Sequence, residues 1–284
     1  MTPALGLGVP PLILALVLGA ALLHATWNAL LRSGADRLWS ISLMCLVSAA
    51  VALPFAFILP APAMASWPYA VASSALQIGY CLFLVRAYRH GQLSQVYPIA
   101  RGTAPLLVAL GAVAVAHEAL SGRSWAGLAM VSTGIIGLGL GRDRPDIRST
   151  LAALICGAFI AGYMVTDGIG VRLAGRPTSY VVWMTIAQGT PMPLVYLAIR
   201  RRWPMIRNDR ETWKAVGGGV ISMVGYGVVV WALSFTAMAK VSGLRETSIL
   251  FAAIIGTLFL KEPFTVRRAA CAVLISAGAM LLAS

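Results

Sequence analysis

Four ionisable side chains stand inside the apolar stretches of this chain, away from its polar connections: Arg101, Asp167, Arg245 and Glu246, with His24 and Asn28 accompanying them. An ionised group at membrane depth costs about 2.5 to 3.5 kcal/mol on insertion scales, so it faces a cavity or a partner. His24, Trp27 and Asn28 fall at i, i+3 and i+4 and share one helical face. Tyr163, Thr166 and Asp167 repeat that spacing. Two buried arginines suit a carboxylate or phosphonate through bidentate contacts. Asp167 or Glu246 suits an amine or a proton. Arg245 and Glu246 are neighbours, roughly 100° apart around a helix, so they cannot face one partner and one of them is expected in a structural pair.

The same residues admit a structural reading. Asp167 can pair with an arginine, and Asn28 can cap a broken helix; hydrogen bonds between transmembrane helices contribute about 0.6 kcal/mol on average. Tyr80 and Tyr226 can line a path or simply pack. Pro98 and Pro105 flank Arg101 and predict a distorted helical segment there.

Other chemistries find no support. There is no HExxH or GxSxG motif, and His90 and His117 fall at the ends of apolar stretches. Cys45, Cys81, Cys156 and Cys271 are widely spaced in apolar surroundings, as packing residues are. Gly217-Gly218-Gly219 lacks the sequel of a phosphate-binding loop and reads as a close-packing stretch. We expect no enzyme activity, no cofactor and no metal.

Composition identifies the elements that must hold these groups. Of 284 residues, 59% are hydrophobic and 11% charged, with a mean hydropathy of +0.84. Soluble domains carry roughly 25% charged residues. The apolar runs lack period-2 alternation and are long enough to cross a hydrocarbon core of about 30 Å as helices. The spacing predicts ten, near 11–32, 38–60, 67–89, 93–116, 124–141, 150–172, 178–199, 214–238, 240–260 and 266–283. The net charge of +13 does not imply nucleic acid, because the basic residues are dispersed over short connections, the longest run being Arg200–Arg202. They concentrate after odd-numbered helices, which places those loops in the cytoplasm and both termini outside. The stretch from Pro10 to Leu31 reads as a first transmembrane helix and not as a cleaved signal.

An internal repeat organises the ten helices. Arg101-Gly102-Thr103 recurs as Arg245-Glu246-Thr247, His117-Glu118 as Lys261-Glu262, and Trp67 with Gly79-Tyr80 as Trp213 with Gly225-Tyr226. His24, Trp27 and Asn28 fall opposite Tyr163, Thr166 and Asp167. A five-helix unit crosses an odd number of times, so its second copy enters inverted, an arrangement that places a binding site between repeats. The expected fold is an all-α integral membrane protein of two inverted five-helix repeats, 1–141 and 150–284, joined by 142–149 around a central cavity.

Three stretches carry a resemblance: His24-Ala-Thr-Trp-Asn28, Tyr163-Met-Val-Thr-Asp167-Gly, and Leu244-Arg-Glu-Thr-Ser248 running on to Phe259-Leu-Lys-Glu262-Pro. Together with Glu118 they resemble the drug/metabolite transporter superfamily, specifically its EamA-type ten-helix branch. The resemblance implies a basket lined by helices 1, 3, 4, 6, 8 and 9, alternating access, and termini in the cytoplasm, opposite to the charge bias. The function expected is secondary transport of a small polar or zwitterionic metabolite, amino-acid-like or an organic anion, proton-coupled or by exchange; a scaffold without transport activity is the alternative. The expected substrate contacts are His24, Trp27, Asn28, Tyr80, Arg101, Tyr163, Asp167, Tyr226, Arg245 and Glu246. Expected partners are that small molecule, the lipid bilayer and a second copy in a homodimer, without nucleic acid, in a bacterial inner membrane.

Overall fold

Apolar runs bounded by short polar connections fold here into helices alone. The computed structural model describes residues 8–32, 36–90, 93–139, 147–203, 206, 208–260 and 265–284, and no strand occurs among them. Lys261, Glu262 and most of the 142–149 connection lie outside the described residues. In chain order the helices are α1 (Pro11–Arg32), α2 (Arg37–Ile58), a 3₁₀ turn (Met64–Ser66), α3 (Trp67–His90), α4 (Leu93–Ala116), α5 (Gly122–Gly139) and α6 (Ile147–Leu173). There follow α7 (Pro177–Gly189), α8 (Pro191–Arg200), α9 (Arg210–Leu233), α10 (Met238–Arg245), α11 (Ser248–Leu260) and α12 (Val266–Ala283).

Local chemistry sets several of these limits. Asp36 accepts from the Leu38 and Trp39 N–H groups and starts α2, and Asp209 accepts from Thr212 N–H at 2.8 Å to start α9. The stretch expected as one helix at 178–199 divides into α7 and α8, with Pro191 supplying a ready first residue for the second part. The expected helix at 240–260 also divides, between Arg245 and Ser248. There the N–H groups of Glu246, Thr247, Ile249 and Leu250 reach back three residues, tightening the chain into a short 3₁₀-like link. The distortion expected around Arg101 does not divide α4, which runs through Pro98 and Pro105. Each proline removes one donor while its φ stays helical, so the helix continues.

Seven helical stretches among the described residues are long and apolar enough to cross a membrane: α1, α2, most of α4, α6, α7 with α8, α9 and α12. Large hydrophobic side chains such as Leu12, Phe57 and Val266 project outward, as a lipid-facing surface requires. Inside, α3 and α4 flank α6, α1 packs on α9 and the α10–α11 pair, α2 packs on α7 and α9, and α5 packs on α12. The α5–α12 contact is glycine on glycine. A Cβ on Gly127 would stand 2.9 Å from the Gly278 carbonyl oxygen, and one on Gly278 2.7 Å from that of Gly127. Such small-residue seams let helices approach where hydrophobicity cannot drive association.

Candidate functional site

The site is built outward from α1. One turn of that helix brings Trp27 onto His24, with Trp27 Nε1 donating to His24 Nδ1 at 3.2 Å and the rings edge to face. With Nδ1 accepting, the donor that the neutral ring presents elsewhere is Nε2, which is buried and has no partner among the described residues. Asn28 does not join it. Its amide turns back to the His24 carbonyl oxygen at 2.8 Å, within an unbroken α1, so it neither caps a break nor reaches across the bundle.

At the division between α10 and α11 the two arginines part company. Arg101 Nε lies 2.9 Å from a Glu246 carboxylate oxygen, both side chains almost wholly buried. Arg245 is equally buried but has no carboxylate against it among the described residues. Its Nη1 meets the Met164 sulfur at 3.4 Å, a weak acceptor, its Cζ stands 5.8 Å from the Tyr226 ring centre, and its Nε has no acceptor among the described residues. The expected division of labour between Arg245 and Glu246 is therefore resolved with Glu246 as the paired member. Ala20, His24 and Trp27 of α1, Gly225, Tyr226 and Val229 of α9, and Arg245 line a narrow crevice.

Asp167 organises a second polar cluster. Its carboxylate accepts from Tyr226 Oη at 2.6 Å and Tyr180 Oη at 3.1 Å, with Gln188 Nε2 more distant at 3.5 Å. Ser73 of α3 hydrogen-bonds both to Asp167 and to Gln188, the latter at 3.1 Å. No arginine, lysine or histidine lies within ion-pair distance of this carboxylate among the described residues. Its partners are hydroxyl and amide groups. Tyr226 belongs to both clusters: its ring lies under Arg245 and its hydroxyl reaches Asp167. Tyr163 stands edge to face between Tyr80, at 6.1 Å, and Tyr226, at 5.8 Å between ring centres. Tyr80 and Tyr163 thus support the wall of the cleft without entering its lining.

The sequence reading missed Ser73, Tyr180 and Gln188. Ser73 and Gln188 are polar residues in apolar helices, a signal present but weak. Tyr180 stands at the start of α7, where an interfacial aromatic is the ordinary expectation. Gly170, one turn beyond Asp167, leaves the space that the Tyr180 hydroxyl occupies.

Glu118 acts elsewhere, at one end of the bundle. Exposed His117 adopts a left-handed conformation (φ 52°) just past α4, and the Glu118 N–H bonds to Ala112 oxygen at 3.0 Å. This helix ending turns Glu118 inward. Its carboxylate accepts from the Met238 N–H at 3.0 and 3.2 Å, capping α10, and pairs with Arg172 of α6 at 2.6 Å. Arg172 in turn donates to the carbonyl oxygens of Leu233 and Thr236. One carboxylate thereby ties α4, α6 and the α9–α10 connection together.

Residues 147–284 match the model of the EamA-like transporter family. Among solved structures, 29 chains match, and one crystal structure superposes with a TM-score of 0.74 over 95% of this chain and 94% of that one. Their sequences are 18% identical, so this likeness concerns the fold. No curated protein matches the sequence.

Proposed function

We propose, from the match of residues 147–284 to the EamA-like transporter family, that this chain is a secondary transporter for a small organic anion or zwitterion, bound through its acidic group at Arg245. The observation that carries the reading is the difference between two equally buried arginines. Arg101 has its counter-ion in Glu246, and Arg245 has none among the described residues while lining a cleft. A guanidinium in that condition is a preformed half of a charge-assisted contact. His24 Nε2 offers a second donor in the same cleft, and Trp27 and Tyr226 offer flat apolar walls.

In this reading all ten predicted helices cross the membrane as two inverted repeats. The chain ends support an even number of crossings, because Val9 N–H bonds to Ala283 oxygen at 2.8 Å and so places the start of α1 beside the end of α12. The ends of alternate helices also meet: Ala63 after α2 bonds to Ala174 after α6, and Glu118 after α4 bonds to Met238 at the start of α10. At the opposite end Asp36 before α2 meets Arg200 of α8. The packing supports a two-fold relation, since α3 on α6 exchanges with α9 on α1, and α4 on α6 with the α10–α11 pair on α1. Alternating access is then a rocking of one repeat against the other about the cleft.

Transport is tested in proteoliposomes with radiolabelled alanine, succinate and methylphosphonate. Uptake of one of them that is lost in Arg245→Gln, with membrane insertion intact, is the expected result. Wild-type flux in Arg245→Gln would exclude Arg245 as the anion contact, and no flux of any of the three would overturn the substrate class.

A further inference from the structure

The charges in the middle of the bundle balance only while the cleft holds no anion. Among the described residues they are Arg101, Arg245, Glu246 and Asp167, two cations and two carboxylates. An anion on Arg245 adds an uncompensated negative charge beside Asp167, separated from it by the single ring of Tyr226. Net charge in a low-dielectric interior is costly. We propose that Asp167 takes up one proton when an anion occupies the Arg245 cleft, so that anion and proton move together. The proposal rests on the assignment of Arg245 as the anion contact.

The surroundings of Asp167 suit a proton better than any larger cation. Facing it are Ser73 from α3, Tyr180 and Gln188 from α7 and Tyr226 from α9, while Arg101 on α4 is engaged by Glu246 and Arg245 on α10 lies beyond the Tyr226 ring. These partners already crowd the carboxylate, which leaves no berth for an ammonium group. Three of the four are hydroxyls, and a hydroxyl both donates and accepts. When Asp167 is ionised, Tyr226 and Tyr180 donate to it. When it is protonated, the new O–H donates to one of those oxygens, whose own proton turns aside. The cluster stays hydrogen-bonded in both states, which a cluster of pure donors such as lysines could not do. The proton comes from solvent and no covalent bond to carbon changes.

Linkage makes the coupling reciprocal: if the anion promotes protonation, the proton strengthens anion binding by the same factor. Two like charges separated by one aromatic ring in a partly buried setting interact by enough to change affinity on the order of tenfold. The test uses purified protein in detergent, in weakly buffered solution with a pH-indicator dye, titrated with the anionic probes succinate and methylphosphonate in turn. The expected result is uptake of about one proton per bound probe, and an affinity that weakens on the order of tenfold as pH rises through the coupled range. Asp167→Asn should bind with an affinity independent of pH and take up no proton. Infrared difference spectra of the wild type should show a protonated-carboxyl band on binding, so the assignment does not hang on one variant. Binding without proton uptake, or uptake that survives Asp167→Asn, overturns the proposal and leaves the Arg245 contact standing. No binding of any probe overturns the Arg245 contact and this proposal with it.

Discussion

Removing a charge from the core of this protein should have opposite consequences at two adjacent residues. Glu246→Gln strips Arg101 of its counter-ion at a site where both side chains are within 2% of full burial. Breaking a buried pair by removing one partner costs about 3 to 5 kcal/mol, because the remaining charge is left uncompensated. Arg245→Gln removes a buried cation that has no carboxylate against it among the described residues. The cost of holding such a charge, about 2.5 to 3.5 kcal/mol, is offset in the native protein by the Tyr226 ring, a contact of about 0.5 to 2 kcal/mol. Exchange for an uncharged amide removes that cost and that contact together, and a proton taken up by Asp167 keeps the interior neutral, so stability stays level or rises by about 1 to 2 kcal/mol. At about 2 to 4 °C per kcal/mol, Glu246→Gln should lower the melting temperature by roughly 6 to 20 °C, and Arg245→Gln should leave it level or a few degrees higher. Thermal unfolding in detergent followed by tryptophan fluorescence reads both. The double variant Arg101→Gln/Glu246→Gln should recover much of the single loss, since no lone charge remains. A loss in Arg245→Gln as large as in Glu246→Gln would refute the reasoning, because it would mean that Arg245 is held by a strong partner and is not available to a substrate.

Three further variants probe the frame. Gly127→Leu places side-chain atoms against the Gly278 carbonyl and should cost about 1 to 3 kcal/mol by overpacking the seam, read as a lower melting temperature. Glu118→Gln weakens both the Arg172 pair and the cap on Met238, and hydrogen exchange should show faster opening at the start of α10, with little change in α12. His117→Gly meets the left-handed backbone at that position without a Cβ and should raise stability by about 0.5 to 1 kcal/mol, measured by the same unfolding assay.

The bundle was legible because each feature leaves a one-dimensional trace. Apolar runs mark helices, and polar residues inside them mark the interior, so Arg101, Asp167, Arg245 and Glu246 stand out before any contact is known. The helix divisions were not legible in the same way. Pro191 starts α8, yet Pro98 and Pro105 lie within an unbroken α4, and the division near Glu246 contains no proline at all. A proline removes one hydrogen bond, and whether the chain then turns depends on what packs around it. Partner identity was the other gap. Asp167 invited an arginine by charge, whereas the fold surrounds it with hydroxyl groups from α7 and α9 that no local pattern connects to it. Asn28 shares a helical face with His24 and Trp27 but spends its amide on the carbonyl one turn back, a choice that spacing cannot distinguish from a contact across the cleft.

The inequality of the two arginines has a cause that can be read in three residues. Arg101-Gly102-Thr103 and Arg245-Glu246-Thr247 differ at their middle position. At Gly102 a Cβ would stand 2.7 Å from the Ile136 side chain and 3.1 Å from the Ser132 carbonyl oxygen, so the packing of α4 on α5 admits no side chain there. At 246 the chain is leaving α10 and a glutamate fits, reaching back to Arg101. One stretch thus supplies a carboxylate that the other cannot. With two glutamates both arginines would be neutralised and the cleft would have no cation to offer; with two glycines the interior would carry an unpaired excess of positive charge. A single carboxylate shared between two such stretches stabilises one arginine and leaves the other for a substrate. Moving it should therefore fail as a remedy: Gly102→Glu added to Glu246→Gly does not restore transport, because the glutamate cannot enter the α4–α5 seam, and recovery of flux in that double variant would contradict the packing argument.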